Sequence, residues 1–130
     1  MENSDIKFDA KFRMPLKISQ QKEPVVLVLS DSLKASRQEL QTSYKTRIVR
    51  FVNSDELWYP LCVDRIRSEN KRPGKTELMR LYVLSEQSDE PLVFGLSFRV
   101  KFDIEHGRGM KIEAGTLNII EYGDADVAFS

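Results

Sequence analysis

With 130 residues, 41% of them apolar and 31% charged, the chain has the composition of one folded domain with its own core and not of a disordered segment. Twenty basic residues balance twenty acidic ones, which excludes a global field drawing the chain to nucleic acid or an anionic membrane. One cysteine, Cys62, excludes an intrachain disulfide, and one histidine, His106, excludes a multi-histidine metal centre.

No apolar h-region opens the chain, and the longest aliphatic run, Val25 to Leu29, is far shorter than the roughly 20 residues a membrane helix needs. A cytoplasmic, reducing location without membrane contact is therefore expected. From Ile6 to Ile18 every even position is apolar, with Lys7, Lys11, Arg13, Pro15 and Lys17 among the residues between. That period of two predicts a strand, and Pro15 with the outward lysines predicts a sheet edge or a break near Met14. Val25 to Leu29 (VVLVL) reads as a strand buried on both faces.

Residues 31–44 carry the one helical pattern, with Leu33, Arg37, Leu40 and Tyr44 one or two turns apart; a looped-out hairpin is the alternative. Arg47 to Val52 (RIVRFV) returns to β character, and Asn53 to Glu56 reads as a turn. Leu57-Trp58-Tyr59-Pro60 reads as an aromatic corner, and Leu61 to Arg67 as a short strand. Ser68 to Lys75 is a loop by composition, Leu78 to Leu84 a strand, and Ser85 to Pro91 a polar turn.

Leu92 to Ile104 is the clearest element, apolar at every even position and predicted to be the central strand, with Gly95 marking a bend. Glu105 to Gly109 reads as a hairpin loop, and Met110 to Tyr122 completes the hairpin with Gly115 at a bulge or bend. The expected fold is mainly β, an antiparallel sandwich or barrel of about six to eight strands with at most one short helix, and α+β is the alternative class. The chain reads as a single β-rich domain over residues 1–130 whose acidic tail, residues 123–130, frays.

Catalytic signals are weak. Gly74-Lys75-Thr76 resembles the end of a phosphate-binding loop, but Glu69 stands where that loop needs glycine, and a strand follows in place of a helix. His106 sits in a glycine-bearing turn without a partner to orient it, and Cys62 between Leu61 and Val63 reads as a small buried hydrophobe. Glu121, Asp124 and Asp126 lack the spacing of a calcium loop. Neither a cofactor nor a metal is expected.

Charge is segregated instead. Arg65, Arg67, Lys71, Arg72 and Lys75 face Glu69 alone, Lys34 to Arg50 is also basic, and the chain beyond Ile112 is acidic. Trp58 and Tyr59 beside the first cluster have the composition of an interface hot spot, and equally that of a filled core corner, the reading we weight more. The expected role is a non-enzymatic interaction module. It would recognise another macromolecule, first of all a protein, through charged loops, with Arg65, Arg67, Lys71, Arg72, Lys75, Trp58 and Tyr59 as contact candidates. A nucleic-acid-binding barrel using the 65–75 loop and a small-molecule-binding barrel are the alternatives, and weak homodimerisation through the edge near Met110 to Tyr122 is a further expectation.

Overall fold

The alternating run at the centre of the chain forms the strand it predicts, and the other strands assemble around it. The computed structural model describes residues 1–130. It contains β1 (Arg13–Leu16), β2 (Val25–Leu29), α1 (Thr42–Val52), α2 (Asp55–Glu69), β3 (Thr76–Val83), β4 (Val93–Val100), β5 (Arg108–Glu113) and β6 (Ile119–Gly123), joined by turns that include short 3₁₀ segments. The strands form one six-stranded sheet in chain order. All neighbours are antiparallel except β2 and β3, which run parallel.

The fold is therefore α+β, a mixed sheet with two helices, in place of the antiparallel sandwich or barrel expected. The reason lies in residues 30–75. A parallel pair needs a crossover, and both helices sit in it. In α1 the buried residues Tyr44, Ile48, Phe51 and Val52 recur at helical spacing, although Ile48, Val49, Phe51 and Val52 are all strand formers. In α2 the buried stripe is Asp55, Trp58, Cys62 and Ile66, again at helical spacing. Leu57 and Leu61 point outward and hide that stripe in the sequence. Pro60 lies inside α2 on its exposed side, where its missing N–H leaves a carbonyl to solvent. Residues 31–44 are neither one helix nor a hairpin: a 3₁₀ turn spans Lys34–Arg37 and α1 begins at Thr42.

The helices cover one face of the sheet. Phe51 stacks between Phe94 of β4 (centroids 3.9 Å apart) and Trp58 of α2 (5.2 Å), with all three ring planes nearly parallel. The Trp58 indole donates to the Phe51 carbonyl at 2.7 Å, so one residue joins both helices to the central strand. Asp55, buried at the start of α2, accepts from the Ser19 amide at 2.5 Å and hydroxyl at 2.7 Å and pins the β1–β2 loop. Gln21 extends that loop into the sheet: its side-chain amide donates to the Leu78 carbonyl and accepts from the Leu78 amide, beside the bulge of β3.

Along β4 the even positions from Phe94 to Val100 are buried, as the period requires. The strand then stops in a 3₁₀ turn at Lys101–Asp103, which leaves Ile104 61% exposed. At the N-terminus only Arg13–Leu16 pairs. Asp9 caps the Lys11 and Arg13 amides, and Phe12 takes φ +61°, which ends the alternation there. Pro15 does lie on an edge strand.

Residues beyond β6 cross the opposite face of the sheet. A 3₁₀ turn at Ala125–Ala128 lies over Gly95 and Gly109, and Ala128 is buried. Gly95 is thus not a bend; a Cβ there would sit 1.7 Å from the Ala128 carbonyl oxygen. The tail expected to fray is seated on the sheet, and Lys111 Nζ holds the Ser130 carbonyl at 2.7 Å.

Gly95→Val should lower stability by about 1–3 kcal/mol in denaturant unfolding, because the segment above must shift. In the same measurement Phe98→Ala, at a fully buried position, should cost about 3–5 kcal/mol. Arg99→Ala, its exposed neighbour, should stay within about 0.5 kcal/mol of wild type.

Candidate functional site

The residues singled out in the sequence separate into different environments. Trp58 is fully buried in the ring stack and is unavailable to a partner, because the corner that was expected at 57–60 is a helix. Tyr59 is half-buried, donates its hydroxyl to Gln21 Oε1 at 2.9 Å, and meets Phe98 edge-on. Arg65 lies over the Tyr122 ring at 3.8 Å and donates to Ser68. Lys75 pairs with Glu23 at 2.9 Å and with Glu77 at 3.9 Å. Arg67 makes one long contact with Asp64, also 3.9 Å. Lys71 and Arg72 are exposed with no ion pair. Of the five expected cations, then, only three face solvent with little or no counter-charge.

Glu69, the lone acid of that stretch, belongs to a network. Arg108, its side chain only 12% exposed, grips Glu69 with two bonds of 2.8 and 2.6 Å and Asp103 with one of 2.8 Å, and stacks over Phe102. The Tyr122 hydroxyl donates to the same Glu69 carboxylate at 2.7 Å. The Arg108 guanidinium, helped by Tyr122, holds the Glu69 carboxyl at about 2, and Arg108 and then His106 hold Asp103 at about 2. The Tyr122 hydroxyl is pushed up to about 12, by burial first and by its hydrogen bond to Glu69 second. These contacts tie the end of α2 to β5, β6 and the β4–β5 turn. The Arg108 guanidinium is held by two carboxylates, an arrangement that suits anchoring.

His106 hangs from Asp103 at 3.0 Å in that exposed turn, and the carboxylate raises its pKa. Cys62 is buried in the core, and burial pushes its thiol up to about 12. Lys75 and Thr76 lead directly into β3, with no helix N-terminus for a phosphate. No three His, Cys, Asp or Glu side chains converge closely enough to hold a metal ion, and no helix is long and apolar enough to cross a membrane.

The open half of the sheet shows more. Cross-strand pairing puts Arg13, Val28, Tyr82, Gly95 and Lys111 in one row, and Pro15, Val26, Arg80, Ser97 and Gly109 in the next. The C-terminal segment covers the Gly95–Gly109 side. Over β1, β2 and β3 nothing lies on the sheet except Phe129, 52% exposed and 5.4 Å from the Tyr82 ring. Arg13, Arg80 and Arg99 are exposed here, and none of their guanidiniums has an ion pair or hydrogen bond. A hollow of about 270 Å³ between Arg13, Arg80, Tyr82 and Phe129 also takes in Lys11 and one acid, Asp31. Beyond Arg99, Lys75 and Lys101 line a further hollow together with one acid, Glu77, the cross-strand neighbour of Arg99.

Arg13 and Arg99 were legible as outward residues of alternating strands. Phe129 carried no signal, because its place depends on the tail crossing the sheet. The two sheet edges also differ: β1 carries Pro15 and flanking cations, whereas β6 leaves Ile120 54% exposed.

The depressed carboxyls stabilise the fold fully only above their unfolded values, 4.5 for Glu69 and 3.8 for Asp103, and that contribution fades as pH falls toward about 2. Acid titration of unfolding should therefore show a stability loss between about pH 4.5 and 2 that Arg108→Met largely flattens. At neutral pH the same substitution should lower the unfolding midpoint in denaturant.

Compared with known proteins, the chain matches no family model, no curated protein and no solved structure.

Proposed function

We propose that the protein is a non-enzymatic binding module that grips an acidic surface of another protein with the open half of its sheet. One observation carries this reading: Arg13, Arg80 and Arg99 share a face and none forms an ion pair, although Asp31 and Glu77 lie among them, and a half-exposed Phe129 stands beside them. Guanidiniums left unpaired can form bidentate bonds with carboxylates, and an aromatic ring among arginines is the composition of an interface hot spot. The strands hold these side chains at fixed spacing, which limits the entropy lost on binding. Lys71 and Arg72, from the basic loop, and Lys101 widen the positive field and would steer an acidic partner.

A partner captured from native extract and then purified should bind the wild-type protein with salt-sensitive association. Arg80→Glu with Arg99→Glu should slow association about tenfold or more at low salt, and the difference should shrink as salt screens the field. Phe129→Ala should mainly speed dissociation. A double reversal that binds as tightly as wild type at low salt rejects this surface. A partner that proves to be nucleic acid, with a log affinity against log salt slope that falls by about one unit per arginine reversed, replaces the protein reading.

The exposed Ile120 on the free β6 edge favours a second, weaker contact, pairing between copies of the chain. Light scattering at high concentration should then show a dimer that Ile120→Lys abolishes, and a strict monomer removes the idea.

A further inference from the structure

On the helix side, far from the arginine face in the sheet, an apolar cleft of about 270 Å³ opens where α1 and α2 meet the β5–β6 turn. Its walls are Phe51, Leu57, Leu92 and Leu117. Phe51 is fixed by stacking on Trp58 and Phe94, so the floor is rigid. Leu57, 57% exposed, stands at the mouth of the cleft. Leu117 reaches the cleft from φ +58°, a left-handed backbone that a leucine adopts at a cost, held by the bond of its amide to the Glu113 carbonyl at 2.9 Å. Above Gly115 the space is empty.

The rim carries charge. Arg47 donates to the Gln87 and Asp89 carbonyls but meets no carboxylate within salt-bridge distance. The Arg50 guanidinium has no partner at all. Glu90 is the one acid on the rim and is itself unpaired. Two guanidiniums against one carboxylate leave a single uncompensated positive charge beside an apolar hollow.

We propose that this cleft binds a small carboxylic acid with an aromatic or branched aliphatic body. The body replaces water against Phe51, Leu57 and Leu117, and the carboxylate meets Arg50 in a charge-assisted pair. Glu90 disfavours ligands with several negative charges, so phosphates and dicarboxylates are excluded in favour of monoanions. The volume is slightly below the usual range for drug-sized ligands and fits a body of one ring with a short side chain.

The probe is 3-phenylpropionate, titrated into the full chain while amide chemical shifts are followed by NMR. With about eleven non-hydrogen atoms it should bind with Kd of about 0.1–1 mM, and the shifts should centre on Ser54, Leu57, Leu92 and Leu117. The neutral amide, 3-phenylpropanamide, should bind at least about fivefold more weakly, as should Arg50→Ala, with part of the loss restored by Arg50→Lys. Leu117→Gly relieves the backbone while removing a wall. It should keep the melting temperature and lose binding. No shifts at several-fold above about 1 mM, or equal binding of acid and amide, would overturn the proposal. So would shifts centred on Arg13 and Arg80, which would mark general anion binding by the sheet. Substitutions at Arg80 and Arg99 should leave the titration unchanged, so the cleft and the protein-binding face stand or fall separately.

Discussion

Parallel pairing of β2 with β3 governs the rest of the molecule. A chain that ends β2 at Leu29 and must lay β3 beside it in the same direction has to travel back along the sheet first. The return journey fills residues 30–75, and the cheapest way to satisfy its backbone is helix. Those helices can lie on only one face, so the two faces become chemically different. One receives Phe51, Trp58 and Ile66, and the other keeps the arginines of β1, β3 and β4.

The second face is closed by another device. Where β4 and β5 offer Gly95 and Gly109, backbone can approach backbone, and the C-terminal segment settles there with its carbonyl oxygens against the strands. Where β1 to β3 offer valine and arginine, it cannot. The boundary between covered and open sheet therefore follows residue size. Arg108 then locks the corner at which α2, the β4–β5 turn and β6 meet, so the covered half is braced by charge as well as by packing.

Strands paired by hairpins were legible in the sequence, because a period of two survives whatever surrounds it. β3, β4 and the β4–β5 hairpin stand where the pattern puts them, but the single arm expected from Met110 to Tyr122 is two strands, β5 and β6, folded back on each other through a turn that holds Gly115 at φ +89°. The helices were not legible, for a physical reason. In α1 the residues that face the core are Ile48, Val49, Phe51 and Val52, whose shape suits a pleated surface as well as a helix. In α2, Leu57 and Leu61 lie on the solvent side and Pro60 interrupts the ladder, so the apolar stripe is blurred and a breaker stands within it. Tertiary burial decided both. Of the contact candidates, Lys71 and Arg72 keep the freedom expected of them, but Arg65 is spent on Tyr122 and Lys75 on Glu23. Those pairings join residues far apart in the chain, which local charge counting cannot see.

The single thiol gives the helix layer a built-in reporter. Cys62 is sealed on the inner side of α2, where burial shields its thiol and pushes its pKa up to about 12. Labelling therefore has to wait for α2 to lift from the sheet, and its rate measures that opening. If α2 opens alone, the label enters while the hairpins remain paired. If it opens only when the whole domain unfolds, the ring stack of Phe94, Phe51 and Trp58 makes sheet and helices one cooperative unit. A native thiol at this position distinguishes the two without any substitution.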